Sequence, residues 1–186
     1  VNLVERAKNI LMRPKAEWLV IEREPGDAGY LFPNYVMILA AIPVVCSFTR
    51  DVIFGYGPFH VGVVSGLLQA IVFYLLAPVG VFVFAYVIDF LAEKFGGRQN
   101  FPNALKVSAY AATPGLLVGI FDLIPFLGIL KLLGFYGLYL LYTGIAVLMK
   151  PPAEKVLIYT IAAWVSFLVL VGAVAALAAV AVNLLK

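Results

Sequence analysis

The stretch YVIDFLAEKFGG, Tyr86 to Gly97, places Asp89 and Glu93 four residues apart at the end of a long apolar run. On a helix that spacing puts both carboxylates on one face. Such a pair could bind a cation, contribute half of an acid dyad, or mark the point where a helix leaves lipid for water. The other intramembrane polar groups are Gln69, Asp122 and Lys131. Ionisable groups inside apolar spans are expensive and often line a solute or ion path. Catalysis asks for more. A zinc protease needs a His-Glu-x-x-His pair, and His60 is the single histidine. Gly62-Val-Val-Ser65-Gly66 resembles an intramembrane serine protease turn, yet His60 is five residues away at the mouth of the same helix, so Gly62, Ser65 and Gly66 read better as packing. An aspartyl dyad would pair Asp89 with Asp122, but threading puts them on the order of 25 Å apart along the membrane normal. No catalytic site, metal or cofactor is expected.

The elements that carry these groups are set by composition. Hydrophobic residues make up 64% of the 186 and charged residues 12%, against roughly 45–50% and about 25% in soluble domains. Continuous apolar runs approach or exceed the ~18–20 residues that cross a bilayer, whereas a transmembrane barrel would show ~10-residue alternating segments. The fold class is therefore all-α, a polytopic membrane bundle. Five runs are expected as spans: Phe32 to Phe48, Val61 to Phe90, Leu105 to Leu123, Leu127 to Met149, and Val156 to Leu185. Residues 31–186 form this five-span domain, and residues 1–30 a polar, amphipathic leader that does not read as a cleavable signal. In the leader, Leu3, Ala7, Ile10 and Leu11 share one helical face, Pro14 breaks or restarts the helix, and Trp18 and Leu19 continue an apolar side. That face suits the membrane surface or the protein's own bundle.

Lys and Arg in short loops stay cytoplasmic. With the N-terminus inside, ten basic residues fall on the inner side, while Arg50, Lys131 and Lys186 fall outside. The N-terminus is thus expected in the cytoplasm and the C-terminus in the periplasm or outside the cell. The net charge of +3 comes from this asymmetry, and no basic cluster interleaved with aromatics points to nucleic acid. Cys46, the single cysteine, reads as a buried structural thiol.

Helices in lipid meet through small residues. Gly62 and Gly66 open span two, and Ala111, Gly115 and Gly119 form a stripe on span three. Gly172, Ala173, Ala175, Ala176, Ala178 and Ala179 enrich span five, where a homodimer contact is the alternative to intrachain packing. Pro78 and Pro114 are expected to kink spans two and three, and Gly96 with Gly97 to end the second helix.

The segment GGRQNFPNALKVSAYAATPGLLVGIFDLIP resembles the Yip-domain family of Ypt/Rab-interacting membrane proteins, in its bacterial branch. The likeness rests on Gly96 and Gly97, the Ala109-Tyr110-Ala111 start of a span, the intramembrane Pro114 and the hairpin Pro125. The leader VERAKNILMRPKAEW extends it over nearly the whole chain. The resemblance implies five spans with a cytoplasmic N-terminus, in agreement with the charge count. Eukaryotic members carry an Asp-Leu-Tyr-Gly-Pro motif before the first span; here Tyr56-Gly57-Pro58-Phe59 comes after that span without the Asp-Leu, so that role is not transferred. The resemblance further implies a non-enzymatic protein of the bacterial inner membrane that organises membranes or binds a protein through its cytoplasmic face. The alternative is a small-solute or ion transporter using Asp89, Glu93, Gln69 and Asp122.

Length bears on the acidic pair as well. Val61 to Phe90 would make about 45 Å of helix against a ~30 Å hydrocarbon core. Burying both Asp89 and Glu93 would cost about 5–7 kcal/mol. The pair therefore reads as the wet inner end of an over-long helix, facing the basic leader, a partner or a cation.

Overall fold

The computed structural model describes residues 2–55 and 61–184, and every regular element among them is helical. The Tyr56-Gly57-Pro58-Phe59 tetrapeptide and His60 lie outside the described residues. Two short helices come first, α1 at Leu3–Met12 and α2 at Pro14–Arg23. The Asn2 side chain caps α1 by accepting from the Val4 N–H at 3.2 Å. Pro14, which has no N–H to continue α1, serves as the first residue of α2.

Five helical segments are long and apolar enough to cross a membrane: span one Ala28–Phe54, span two Val63–Lys94, span three Phe101–Leu123, span four Phe126–Met149 and span five Ala153–Leu177. Span one is longer than its apolar core suggests. It continues through Thr49 into a wider i→i+5 turn at Arg50–Phe54, where Arg50 pairs with Asp51 and with Asp122 of span three. Span three is the centre of the bundle, with 61% of its most apolar window buried, whereas spans two and five are the outer helices at 17% and 11%. Many of their Val, Leu, Ile and Phe side chains are exposed, as a lipid-facing surface requires, Phe84 and Ile88 of span two being buried exceptions.

Local chemistry sets the breaks. Span two passes Pro78 without interruption and ends in paired reverse hydrogen bonds, Gly97 N–H to the Ala92 carbonyl at 2.8 Å and Gly96 N–H to the Glu93 carbonyl at 3.1 Å. Gly96 has φ +74°, a left-handed conformation that a side chain would strain. Span three opens with the Asn100 side chain accepting from the Asn103 N–H at 3.0 Å. Its α-helix stops at Ala111, resumes at Thr113 with Pro114 in the first turn, and tightens to i→i+3 winding over Val118–Leu123. Span four begins with an i→i+3 stretch at Pro125–Phe135.

Helices α1 and α2 fold back on the bundle. Ile10, Trp18 and Ile21 are fully buried in the same core as Leu105, Leu140, Ile145 and Met149. The leader's apolar face divides: Ala7, Ile10 and Trp18 are buried against the bundle, whereas Leu19 is 52% exposed.

Candidate functional site

At the N-terminal end of the bundle, α1, α2 and the starts of spans one and three enclose a group of buried charges. Arg6 is 4% exposed, and its guanidinium forks between the Glu17 and Glu24 carboxylates. Its Cζ also lies 5.6 Å from the centre of the Tyr110 ring. Removing one partner from a buried pair of this kind costs about 3–5 kcal/mol, because a charge is left uncompensated. Lys106, one turn into span three and 4% exposed, donates to the carbonyls of Ile21, Glu22 and Glu24 at 2.9, 3.4 and 2.8 Å. Those carbonyls close the end of α2, where Ile21 also accepts the Glu24 N–H at 3.2 Å, so the ammonium acts as a helix cap supplied from another helix.

A ladder of hydroxyls and rings runs inward from there. Tyr110 meets Tyr35 edge to face at 4.8 Å, and the Tyr35 hydroxyl bonds Thr113 Oγ1 at 2.7 Å. Trp18 donates from Nε1 to Thr143 Oγ1 at 3.0 Å and packs edge-on to Tyr110. Near its end, α1 is held by the Tyr136 hydroxyl, which donates to the Leu11 carbonyl at 2.9 Å.

The loops after spans two and four join the same end. The Arg98 N–H donates to the Met149 carbonyl at 2.7 Å, and Lys150 pairs with Glu22. That hydrogen bond holds the Glu22 carboxyl below the ordinary carboxylate range, outweighing the opposite effect of partial burial.

The opposite end carries a second polar centre. Asp122 accepts from Arg50 at 2.7 Å and also pairs with Lys131, while Arg50 reaches Asp51 at 2.8 Å. Asp122, Arg50, Asp51 and Gln69 line one cavity of about 390 Å³ between spans one and two. The four sequence candidates therefore divide. Gln69 and Asp122 come together, whereas Asp89 and Glu93 lie on span two at the N-terminal end, about 30 Å from Gln69 at 1.5 Å per residue. Glu93 is exposed, and Asp89 is half-buried with its Oδ1 covered and without a hydrogen-bond partner among the described residues. The nearby Tyr159 hydroxyl donates to the Ile88 carbonyl instead.

The small residues also divide. A Cβ on Gly119 would stand 2.5 Å from the Pro43 Cβ, and one on Gly66 would stand 2.9 Å from Val52 Cγ2, so both mark close contacts with span one. Among the described residues, nothing stands within 4 Å of where a Cβ on Gly62 or Gly115 would be. The Ala111 carbonyl sits 2.8 Å from where a Cβ on Gly137 would be, a span three to span four contact. On span five, Gly172, Ala173, Ala175 and Ala176 are exposed.

Sequence reasoning missed the buried centre. Nothing in the leader's composition marks Arg6, Glu17 and Glu24 as buried, and the charge count does not separate Lys106 from the other basic residues of the inner side. The available signal was Lys106 itself, a cation inside the span that the fold makes most central. Among the described residues, no three His, Cys, Asp or Glu side chains gather as metal ligands.

The comparisons with known proteins fit this architecture. The Yip1 domain matches residues 8–174, from the middle of α1 into span five. Inner membrane protein YohC of Escherichia coli K12 is 32% identical over 146 residues, covering 73% of this chain and 74% of its own length. The same-named protein of Escherichia coli O6:H1 strain CFT073 gives identical figures. No solved structure matches. The chain is a membrane protein of the Yip1 domain family.

Proposed function

We propose that this protein is a non-enzymatic organiser of the bacterial inner membrane that presents a rigid, charged platform to a protein partner in the cytoplasm. The observation that carries the reading is the immobilisation of α1 and α2. Amphipathic leaders that only touch lipid need no interior partners, yet this pair is held by Trp18, Arg6, Lys106 and Tyr136. Such fixing costs the side-chain entropy of several large residues, which is reasonable when the outer face must keep a defined shape. That outer face displays Lys8, Arg13, Lys15 and Arg23, and Glu93, Lys94 and Arg98 are exposed at the same end of the bundle. On this reading residues 1–30 are the cytoplasmic segment, residues 31–186 the membrane domain, and the C-terminus faces the periplasm.

A solute route is less well supported. The polar centres lie at opposite ends of the bundle, and between them the Gly119 backbone presses on Pro43, leaving no room even for a methyl group.

Site-specific photocrosslinking in cells tests the proposal. Probes at Lys15, Arg23 and Glu93 are expected to trap one common protein adduct, and a probe at the lipid-facing Leu168 to trap none. Charge reversal at Lys15 and Arg23 should remove the adduct. Absence of a common adduct, together with solute flux in liposomes abolished by Asp122→Asn, would overturn it in favour of transport.

A further inference from the structure

A cavity of about 460 Å³ opens between α1, the Glu24–Asp27 loop and the first turns of spans one and three. That volume lies within the range of ordinary small-molecule sites. Its charges are ordered by depth. Arg6 and Tyr110, 4% and 6% exposed, form the inner wall, while Asp27, Tyr30 and Asn34 form the exposed rim.

Hydrogen-bonding capacity remains at both levels. A guanidinium carries five N–H groups, and Arg6 commits only one from each terminal nitrogen, to Glu17 and Glu24. The Tyr110 and Tyr30 hydroxyls have no partner among the described residues. Lys106 has its three N–H groups on carbonyls, so it contributes charge and wall but no free donor. At the rim, Asp27 uses one oxygen to cap the Gly29 N–H at 2.8 Å, and Asn34 donates to the Tyr30 carbonyl, which leaves its own oxygen free. The cationic donor with spare N–H groups thus lies inside, and the carboxylate with a spare oxygen lies at the rim, beside Tyr30 and Asn34, which can both donate and accept.

The lining charges balance, Arg6 and Lys106 against Glu24 and Asp27, which favours a ligand of no net charge that carries both signs. The location narrows the class. The cavity sits at the ends of two membrane spans, and its lining includes Ile38, 52% exposed on the outward face of span one. Hydrocarbon chains could leave the cavity along that face.

We propose that this cavity binds the headgroup of a zwitterionic aminophospholipid. The phosphate accepts hydrogen bonds from Arg6 and Tyr110, and the primary ammonium donates to Asp27 and Asn34 at the rim. A quaternary ammonium has no N–H for those acceptors, and an anionic glycerol headgroup offers them no positive charge.

The test uses the full chain in nanodiscs of equal parts phosphatidylethanolamine, phosphatidylglycerol and phosphatidylcholine lipids, with retained lipid read by native mass spectrometry. Wild type is expected to retain the ethanolamine lipid preferentially. Asp27→Asn keeps the cap but removes the charge, and is expected to reduce the ethanolamine over glycerol preference by about three-fold to ten-fold, the worth of one or two net hydrogen bonds. Tyr110→Phe removes only a hydroxyl and should weaken retention of the ethanolamine lipid by a similar factor. Neither variant disturbs the Arg6 ion pairs, so folding is preserved. Equal retention of the three lipids, preference for the glycerol or choline lipid, or ratios unchanged in both variants would overturn the proposal. Displacement of the lipid by millimolar phosphoethanolamine or inorganic phosphate would overturn its lipid part.

Discussion

The indole of Trp18 rests on the backbone of Gly144, with Cζ2 2.7 Å from where a Cβ on that glycine would stand. The contact joins α2 to span four and aims the indole N–H at Thr143, one residue earlier. A methyl group at position 144 cannot be accommodated while Trp18 keeps this place. Gly144→Ala is therefore expected to destabilise the docked leader by about 1–3 kcal/mol, the usual cost of overpacking. Thermal unfolding in detergent, with Trp18 emission followed in a Trp164→Phe background, should show a lowered midpoint and a red shift. An unchanged spectrum would mean that the indole is not held there.

Lys106 holds α2 from its other end. Lys106→Met keeps the length of the side chain but takes the ammonium away from the carbonyls of Glu22 and Glu24 and leaves that of Ile21 with only the Glu24 N–H. Hydrogen bonds to charged groups contribute about 1.5–3 kcal/mol each, although their sum is not additive. Hydrogen exchange should accelerate through residues 3–24 and stay unchanged in span two. Uniform acceleration through the chain would point to general unfolding and not to loss of a clamp.

Within the small-residue stripe of span three, two glycines are expected to respond with opposite signs. Gly119→Ala drives a methyl into Pro43 and should cost about 1–3 kcal/mol. Gly115→Ala enters open space in a helical turn and should stabilise by about 0.5–1 kcal/mol, through lower backbone entropy in the unfolded state. Parallel unfolding curves of the two variants decide this, and equal shifts would show that the stripe packs as a unit.

The same pair shows how far the sequence could be read. Apolar run lengths report the number of spans because every backbone polar group in lipid must be satisfied within a helix. Run composition cannot report which glycine is pressed against a neighbour, since Gly115 and Gly119 share a face and differ only in what stands opposite. The first span shows another limit. The expected apolar run ends at Phe48, yet the helical segment continues to Phe54, where Arg50 pairs with both Asp51 and Asp122, 72 residues away. The Arg6, Glu17 and Lys106 centre was hidden for a related reason. Charges on an amphipathic leader look solvated until the fold supplies a buried partner.

Asp122 is the shared acceptor of the opposite polar centre. Asp122→Asn would leave Arg50 with Asp51 and Lys131 without a carboxylate. Lys131 is partly exposed, so its loss is screened and the cost is about 1 kcal/mol. The expected readout is faster proteolysis or exchange at the span three to span four hairpin, with the N-terminal end unaffected. A drop that extends to α1 and α2 would contradict the separation of the two centres.

The tie between Glu22 and Lys150 carries a pH dependence of known sign. The hydrogen bond from Lys150, reinforced by the positive charges of Lys150, Arg23 and Lys106, lowers the native Glu22 pKa below its ordinary 4.5. A carboxylate depressed in the folded state contributes its full stabilisation above the unfolded value and loses it as pH falls through the folded one. Docking of α2 onto the loop after span four is therefore constant above pH 4.5 and weakens below it. Acid also alters charges elsewhere in the chain, so the informative quantity is a difference. Trp18 emission should be titrated from pH 6 to pH 3 in wild type and in Lys150→Met, where Glu22 returns toward 4.5. The gap between the two stability profiles should be constant at neutral pH and close as the pH drops below that value. A gap that persists at pH 3 would show that Lys150 stabilises the leader by packing and not through the Glu22 carboxylate.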